Sequence, residues 1–221
     1  MKRLLISLIP TIIILSIFVV ACDKKGEGGG EEFYPTPDGA TWTYSISLTG
    51  DYLSDSENSN FGLLNIISNY ATTQQSQTTM RINGTDQHQT AGTVDILEAS
   101  VDDSPFIIVY YIFIDENEGR WYYALDDDTH WLLLKFPLTS GKTWDFDLYG
   151  STVTAKIIGE ESVTVPAGTF KNCIKIEYSQ EGIVGDRIWF SADVGMVRIN
   201  EITEDMSYMD LQLLSYNIPT Y

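Results

Sequence analysis

Residues 106–125, which read FIIVYYIFIDENEGRWYYAL, are the clearest hairpin in the chain. Two runs rich in β-branched and aromatic residues, 106–114 and 120–125, flank the turn Asp115-Glu116-Asn117-Glu118-Gly119. Such runs favour strands, whereas acidic, amide and glycine residues favour tight turns. Residues 126–129 resemble a second turn and lead into a further apolar run. A three-stranded antiparallel meander is therefore predicted here.

The same alternation of short apolar runs with turn residues continues on both sides of this meander. It predicts a mainly β, antiparallel fold, either an open barrel or a two-sheet sandwich. The predicted strands lie near 42–48, 78–83, 93–100, 106–114, 120–125, 130–136, 143–149, 152–159, 170–179, 183–191, 196–203 and 207–216. Residues 50–60 and 72–78 are predicted to be exposed loops.

Two of these strands, 107–113 and 131–134, are apolar at nearly every position. An antiparallel strand with one solvated face should alternate between apolar and polar residues. A second sheet, a helix or a bound apolar molecule would have to cover the second side. Residues 61–71 could supply a short helix, because their apolar residues recur at helical spacing, although a strand is also compatible with them.

Residues 1–22 have the layout of a bacterial lipoprotein signal. A basic start and an apolar run over 4–20 are followed by Val19-Val20-Ala21-Cys22, which resembles a lipobox. Cleavage before Cys22 would leave a cysteine carrying palmitate-type acyl chains, and two or more such chains hold a protein stably on a membrane. The alternative is an uncleaved single span. Residues 22–32 are expected to form a lipidated, glycine-rich tether, and 33–221 a single β domain.

Either anchor places the domain outside the cytoplasm, in the periplasm or on the cell surface, with the choice of membrane left open. The chain carries 31 acidic and 13 basic residues, a net charge of −18. Such a charge repels nucleic acid, which is therefore not expected as a partner. The expected partners are the membrane, through the lipid on Cys22, and either a hydrophobic small molecule or another envelope protein.

The sequence contains no recognisable catalytic or metal-binding pattern. His88 and His130 are far apart, and no nucleophile elbow, phosphate loop or dinucleotide fingerprint occurs. We therefore expect no catalytic residue, metal or cofactor, and the chain is not predicted to be an enzyme. With Cys22 lipidated, Cys173 has no intrachain partner. Lys171 and Lys175 on the same predicted strand face could lower the pKa of its thiol, although a lone thiol in a strand is usually passive.

A short internal similarity links residues 35–44 with residues 137–146. Proline, glycine, threonine, tryptophan and a second aromatic residue fall at the same offsets in both. The pattern predicts a turn that leads into a strand opening with a large aromatic residue. It indicates either a half-repeat with a boundary near 136 or a turn chemistry that simply recurs. In both cases Trp42 and Trp144 are expected to be core residues.

Two functions remain open on this basis. In the first, the double-sided apolar strands line a concavity that holds a lipid or another hydrophobic ligand, with Tyr110, Tyr123 and Trp131 as the candidate contacts. In the second, the protein is a structural or accessory envelope protein that acts through its surface. The first predicts that these three aromatic residues are partly exposed inside a pocket, and the second predicts that they are fully buried.

Three segments carry a resemblance to a known group of proteins. Residues 163–176, VTVPAGTFKNCIKI, contain a Val-Pro-Ala-Gly-Thr-Phe turn, preceded by an opening at 34–44 and followed by WFSADVGMV at 189–197. Together they resemble segments shared by uncharacterised bacterial exported and lipid-anchored proteins. Some of those proteins are similar in fold to open β-barrels that carry lipoproteins or lipids in the periplasm. The resemblance therefore implies an open barrel and an envelope location, and it implies no activity.

Overall fold

The structure is a computed structural model. It describes residues 33, 35–49, 75–102, 104–115, 118–123, 130–148, 150–202 and 208–220, with the backbone alone at 75, 108–109 and 120–123. Cys22, the tether, the predicted loop at 50–60 and the predicted helix at 61–71 lie outside these residues. Within them, no helix is long and apolar enough to cross a membrane.

The described residues form twelve strands that belong to one antiparallel sheet. The sheet order is β6-β5-β4-β3-β2-β1-β12-β11-β10-β9-β8-β7, so each strand pairs with its neighbour in sequence and β1 also pairs with β12. The mainly β, antiparallel fold is therefore confirmed. The strands are β1 (Thr41–Thr49), β2 (Gln75–His88), β3 (Gly92–Val101), β4 (Ile107–Asp115), β5 (Gly119–Tyr123), β6 (His130–Lys135), β7 (Thr143–Leu148), β8 (Ser151–Val165), β9 (Gly168–Gln180), β10 (Ile183–Ser191), β11 (Gly195–Ile202) and β12 (Tyr208–Asn217).

The predicted meander is confirmed as β4, β5 and β6. Gly119 pairs directly with Asp115, and the Asp115 carboxylate accepts a hydrogen bond from the Glu118 N–H at 2.9 Å. The prediction of a loop over 72–78 is wrong from residue 75 onward, because β2 begins at Gln75. The polar residues of this segment pair with β1, and Ser76 and Thr78 are buried. Because Ser and Thr are common in loops, the composition of this segment wrongly indicated a loop where a strand forms.

The two outermost strands, β6 and β7, meet without sharing a described ladder of backbone hydrogen bonds. Trp144 of β7 donates its indole N–H to the Leu132 carbonyl at 2.7 Å, and Tyr178 of β9 donates its hydroxyl to the Leu133 carbonyl at 2.9 Å. All four residues from Trp131 to Leu134 are buried. The apolar character of β6 on both faces is thus explained by side chains of β7 and β9, which cover its second side where the sheet curls into an open barrel.

The two similar turns found in the sequence have the same backbone geometry. Gly39 and Gly141 both adopt positive φ, at 79° and 83°. The Gly39 N–H donates to the Ile82 carbonyl at 3.0 Å, and the Gly141 N–H donates to the Ile157 carbonyl at 2.8 Å. Each turn therefore sets the start of a strand, β1 or β7, against the strand that follows it.

Both tryptophans after these turns are core residues, as expected. Trp42 is 1% exposed and Trp144 is 5% exposed. Each indole N–H donates to a backbone carbonyl, that of Val194 at 2.6 Å and that of Leu132 at 2.7 Å. A buried indole needs such a partner because an unpaired N–H costs free energy.

The hairpin of β8 and β9 is much longer than its neighbours, and its outer part, residues 160–173, is called the arm below. A register shift between Ile157 and Gly159 separates it from the rest of the hairpin, and a second shift lies within it, between Glu161 and Val163. The arm crosses β11 and reaches β12. There the Ala167 N–H at its tip donates to the Leu213 carbonyl at 2.9 Å. Val163, Val165 and Cys173 of the arm are buried.

Candidate functional site

Two of the three aromatic residues predicted to bind a ligand lie together in the barrel interior. Tyr110 is 2% exposed and Trp131 is 0% exposed. Their rings meet edge to face, with centroids 5.1 Å apart and an interplanar angle of 89°. The backbone of Tyr123 pairs with Tyr111 and His130, and its side chain lies outside the described part. Burial of Tyr110 and Trp131 is the arrangement that the packed-core alternative predicts, and a ligand-binding role for the three residues stays a prediction.

An open groove of about 880 Å³ lies against β1 and β2 beside the tip of the arm. Its floor is formed by residues of the two strands, whose outward positions include Ser45 and Gln77. Hydroxyl, amide and carboxylate groups predominate around it. The lining residues are Ser45, Ile46, Ser47, Ser76, Gln77, Thr79, Asp102, Pro166 and Leu214.

One side of the groove is held in place by Asp102. Its carboxylate accepts a hydrogen bond from the Gln77 N–H at 2.9 Å, and its own N–H donates to the Gln77 carbonyl at 2.8 Å. Its φ of 49° lies in the left-handed region, which Asp tolerates better than most residues. The carboxylate is therefore fixed by the backbone at the end of β3.

The opposite side of the groove is formed by Pro166 and Leu214. Pro166 is at the arm tip, which the hydrogen bond from Ala167 to Leu213 ties to β12. Leu214 has no Cα partner in the pairing of β1 with β12, where the register shifts between Thr43 and Tyr44. The Val-Pro-Ala-Gly-Thr-Phe motif thus supplies a wall of this groove. Sequence reasoning identified the turn itself but contained no signal for where it docks.

The arm is also fastened along its length. Glu161 accepts a hydrogen bond from the indole N–H of Trp189, which is 7% exposed. The Lys175 ammonium and the Arg198 guanidinium each lie 5.3 Å from the Trp189 ring centroid. Cations close to an aromatic face are attracted by its quadrupole. The Glu161 carboxylate and these two cations therefore hold Trp189 between the arm and the sheet.

The structure does not support a reactive thiol at Cys173. The residue is 0% exposed, and burial raises the pKa of the thiol to about 11. The predicted alternation placed it on a polar face with Lys171 and Lys175. Asn172, with a φ of 54°, interrupts that alternation immediately before the cysteine and turns Cys173 inward. The sulfur lies 3.5 Å from the Phe170 carbonyl, inside the arm.

Two buried acidic residues, Asp186 and Glu201, were not identified from the sequence. They pair directly across β10 and β11, and each is 2% exposed. Burial, and then the charge of Glu201, raise the pKa of the Asp186 carboxyl well above its ordinary value. The sequence of β10 does indicate the burial of Asp186, because alternation along the strand places it on the same face as Ile188 and Phe190.

The described residues contain no group of three or more His, Cys, Asp or Glu side chains that could hold a metal ion. The ring of His88 is held in place by hydrogen bonds and by an aromatic contact. Its Nδ1 accepts from the N–H groups of Thr90 and Ala91, each at 3.3 Å, and its ring packs edge to face on Tyr111. This arrangement shapes the turn between β2 and β3.

The sequence of the chain matches no protein-family model and no curated protein. Among solved structures it is similar to a protein from Bacteroides fragilis described as exported, with a YmcC-like fold. The two share 13% identity over 84% of this chain and 98% of that one, with a TM-score of 0.43. It is also similar to a protein from Parabacteroides distasonis described as a lipoprotein, with 14% identity over 84% and 98% of the two chains and a TM-score of 0.39.

Proposed function

We propose that this chain is a lipid-anchored protein of the bacterial cell envelope that acts through its outer surface, with a packed interior. The anchor is Cys22, which follows the lipobox-like Val19-Val20-Ala21. The observation that carries the proposal is the contrast between two sites. Tyr110 and Trp131, the candidate contacts of an interior ligand, are buried against each other, whereas the polar groove beside the arm is open.

The groove suits a partner that offers hydrogen-bonding groups. Its hydroxyl groups and the Gln77 amide can both donate and accept, and Asp102 adds a fixed acceptor. Pro166 and Leu214 add apolar contact area at one side. We propose an extended polar segment of another envelope protein as the occupant. The arm would then serve as a rigid wall that positions this segment on β1 and β2.

A site-specific photo-crosslinker in the groove tests this function in the cells that produce the protein. The probe replaces Gln77, which is exposed in the groove, and a control probe replaces Lys156, which is exposed on β8. We expect one discrete adduct from position 77 and none of the same mass from position 156. The substitution Ser45→Arg should abolish the adduct by filling the groove. An adduct that persists in this variant, or equal adducts from both positions, would refute the groove as the binding site.

The second candidate is a carrier of a lipid or another hydrophobic molecule in the barrel interior. It is favoured by the concentration of apolar and aromatic side chains in β4 to β6. Native mass spectrometry of gently purified residues 31–221 separates the two functions. We expect the mass of the polypeptide alone, with no uptake of offered fatty acids or phospholipids. A reproducible added mass that is lost on organic extraction would instead favour the carrier, with Tyr110, Tyr123 and Trp131 as its contacts.

A further inference from the structure

A bulge in β2 contains the single Asn-Gly dipeptide of the sequence, Asn83-Gly84. The ladder between β2 and β3 is regular up to Ile82 and resumes at Thr85, and the two residues between them have no Cα partner in β1 or β3. Such a bulge interrupts the ladder and bends the strand. Asn83 is exposed, and Gly84 has a φ of 72°, which glycine adopts readily. The dipeptide therefore lies on the surface, outside the regular pairing of the sheet.

An asparagine that is followed by glycine can modify itself. The backbone nitrogen of the glycine attacks Cγ of the asparagine side chain, and ammonia is lost as a five-membered succinimide ring forms. Water then opens the ring at either carbonyl, which gives aspartate or isoaspartate. Glycine favours the reaction because it has no side chain to hinder the approach and no Cβ to restrict its backbone. The surroundings of the dipeptide then decide how fast it reacts.

The nitrogen that would attack is in contact with a carboxylate. The Gly84 N–H donates to Oδ1 of Asp38 at 2.7 Å. Asp38 lies in the turn before β1, and this turn is fixed to β2. The Gly39 N–H donates to the Ile82 carbonyl at 3.0 Å, and the Ile82 N–H donates to the Ala40 carbonyl at 2.9 Å. Because a carboxylate within hydrogen-bond reach can act as a general base, the turn places a base on the nucleophilic nitrogen.

The side chain of Asn83, which is the electrophile, is held by one exposed contact. Its Nδ2 donates to Oε1 of Glu98 at 2.9 Å. An exposed hydrogen bond is exchanged for one with water at small cost, so this contact opposes rotation of the side chain only weakly. Cγ of Asn83 can therefore turn toward the nitrogen of Gly84.

We propose that Asn83 and Gly84 form a self-modification site with Asp38 as its general base. The Gly84 nitrogen forms a bond with Cγ of Asn83 while Asp38 accepts the amide proton. The bond between Cγ and Nδ2 then breaks, and Nδ2 leaves as ammonia with a proton from solvent, to which Asp38 returns its own. One water molecule opens the ring. The net change is hydrolysis of the side-chain amide to a carboxylate and ammonium.

The modification alters the charge on the outer face of β2 and β3. Oε2 of Glu98 accepts a hydrogen bond from Nε of Arg81 at 2.7 Å, while its Oε1 accepts from Asn83. After conversion, a second carboxylate faces Glu98 where a donor stood before. Isoaspartate also lengthens the backbone by one atom within the bulge. Copies of the protein thus gain a negative charge at this position as they age.

Peptide mapping by mass spectrometry tests the site in the full-length protein, kept in detergent at pH 7.4 and 37 °C. The peptide that contains Asn83 is sampled over several weeks for its succinimide, aspartate and isoaspartate forms. We expect Asn83 to be converted, with isoaspartate among the products, whereas Asn217 should stay intact. Asn217 is also exposed, but the β-branched side chain of Ile218 hinders the attacking nitrogen. An unchanged Asn83 peptide would overturn the proposal.

Two substitutions with side chains of equal length test the role of Asp38, which is exposed. Asp38→Glu keeps a carboxylate, whereas Asp38→Gln keeps an oxygen acceptor that does not take the proton. Asparagine is avoided here because it would precede Gly39 and create a second Asn-Gly dipeptide. A positioned general base contributes about 10²–10⁴-fold, so Asp38→Gln should form the succinimide at least about tenfold more slowly than Asp38→Glu. Equal rates in the two variants would overturn the role of Asp38 as the base.

Discussion

Several single side chains of this protein take part in closing the barrel where backbone pairing stops. Trp144 and Tyr178 reach from β7 and β9 to the carbonyl groups of Leu132 and Leu133. Each hydrogen bond satisfies a buried backbone carbonyl at the edge of β6 that has no described neighbouring strand. A donor of this kind is worth about 0.5–1.5 kcal/mol, and more when its loss leaves a buried group unsatisfied. Side-chain hydrogen bonds therefore replace a backbone ladder where β6 meets β7 and β9, a contact called the seam below.

The substitution Tyr178→Phe tests this contribution. It removes one hydroxyl group, leaves the ring in place, and should lower the free energy of unfolding by about 1–2 kcal/mol. Urea denaturation followed by tryptophan fluorescence gives the value. Tyr111→Phe is a matched control, because the hydroxyl of Tyr111 donates to Asp86 at 3.2 Å in an exposed hydrogen bond whose loss should matter by less than about 0.5 kcal/mol. Equal effects of the two substitutions would contradict the role of the seam.

Cys173 provides a second residue-level prediction. Its pKa of about 11 in the folded protein is above the ordinary thiol value of 9.0. The folded state thus holds the thiol proton more tightly, so this group's contribution to stability is lost as the pH rises from about 9 to about 11.

Alkylation with iodoacetamide at pH 8, quantified on the Cys173 peptide by mass spectrometry, should be very slow in the native protein. Only the thiolate reacts, and the residue is 0% exposed. The same reaction in denaturant, where the thiol is accessible, is the control and should be complete within minutes to hours. Rapid modification of the native protein would show that the arm does not shield the thiol.

At the scale of elements, the structure depends on close approaches between particular strands. Strand β5 begins at Gly119, which has a φ of 156° and pairs with both Asp115 and Lys135. A Cβ atom on this glycine would overlap the backbone carbonyl group of Leu134. Backbone atoms cannot move aside as a flexible side chain can, so glycine is required where the meander turns from β4 to β5.

Gly119→Ala should therefore destabilise the domain by about 3 kcal/mol or more, or prevent folding. Gly84→Ala serves as the control. Gly84 also has positive φ, 72°, but no atom lies within 4 Å of the position of its Cβ, so its cost should be limited to about 1–2 kcal/mol of backbone strain. Thermal unfolding followed by circular dichroism compares the two variants. Similar melting temperatures would show that the meander can relax around a side chain at 119.

For the whole molecule, the dominant property is its charge. The net charge of −18 produces self-repulsion that opposes the compact state. The 13 basic residues only partly offset the 31 acidic ones, and in the described part Lys175, Arg187 and Arg198 are paired with carboxylates on β9 to β12. The stability of the domain should therefore depend on ionic strength more than that of a neutral protein of similar size.

Raising sodium chloride from 10 mM to 150 mM should increase the melting temperature by a few degrees, because the screening length falls from about 30 Å to about 8 Å. Differential scanning calorimetry at pH 7 measures this change. The same salt series at pH 4, where many carboxylates are protonated, is the control and should produce a smaller increase. No increase at pH 7 would mean that the acidic groups are spaced too widely to repel one another.

The sequence by itself determined most of the strands, although not the first residues of β2, together with the two glycine turns and the core positions of Trp42 and Trp144. Alternation, turn chemistry and aromatic burial act over a few neighbouring residues. Only the tertiary structure decided that β6 closes against β7 and β9, that the arm docks on β12 beside the groove, and that Asp186 meets Glu201 in the interior. Each of these contacts joins residues that are distant along the chain or that depend on a strand register. A register is set by packing over the whole sheet, and a shift of one residue would turn both carboxyl groups outward to solvent.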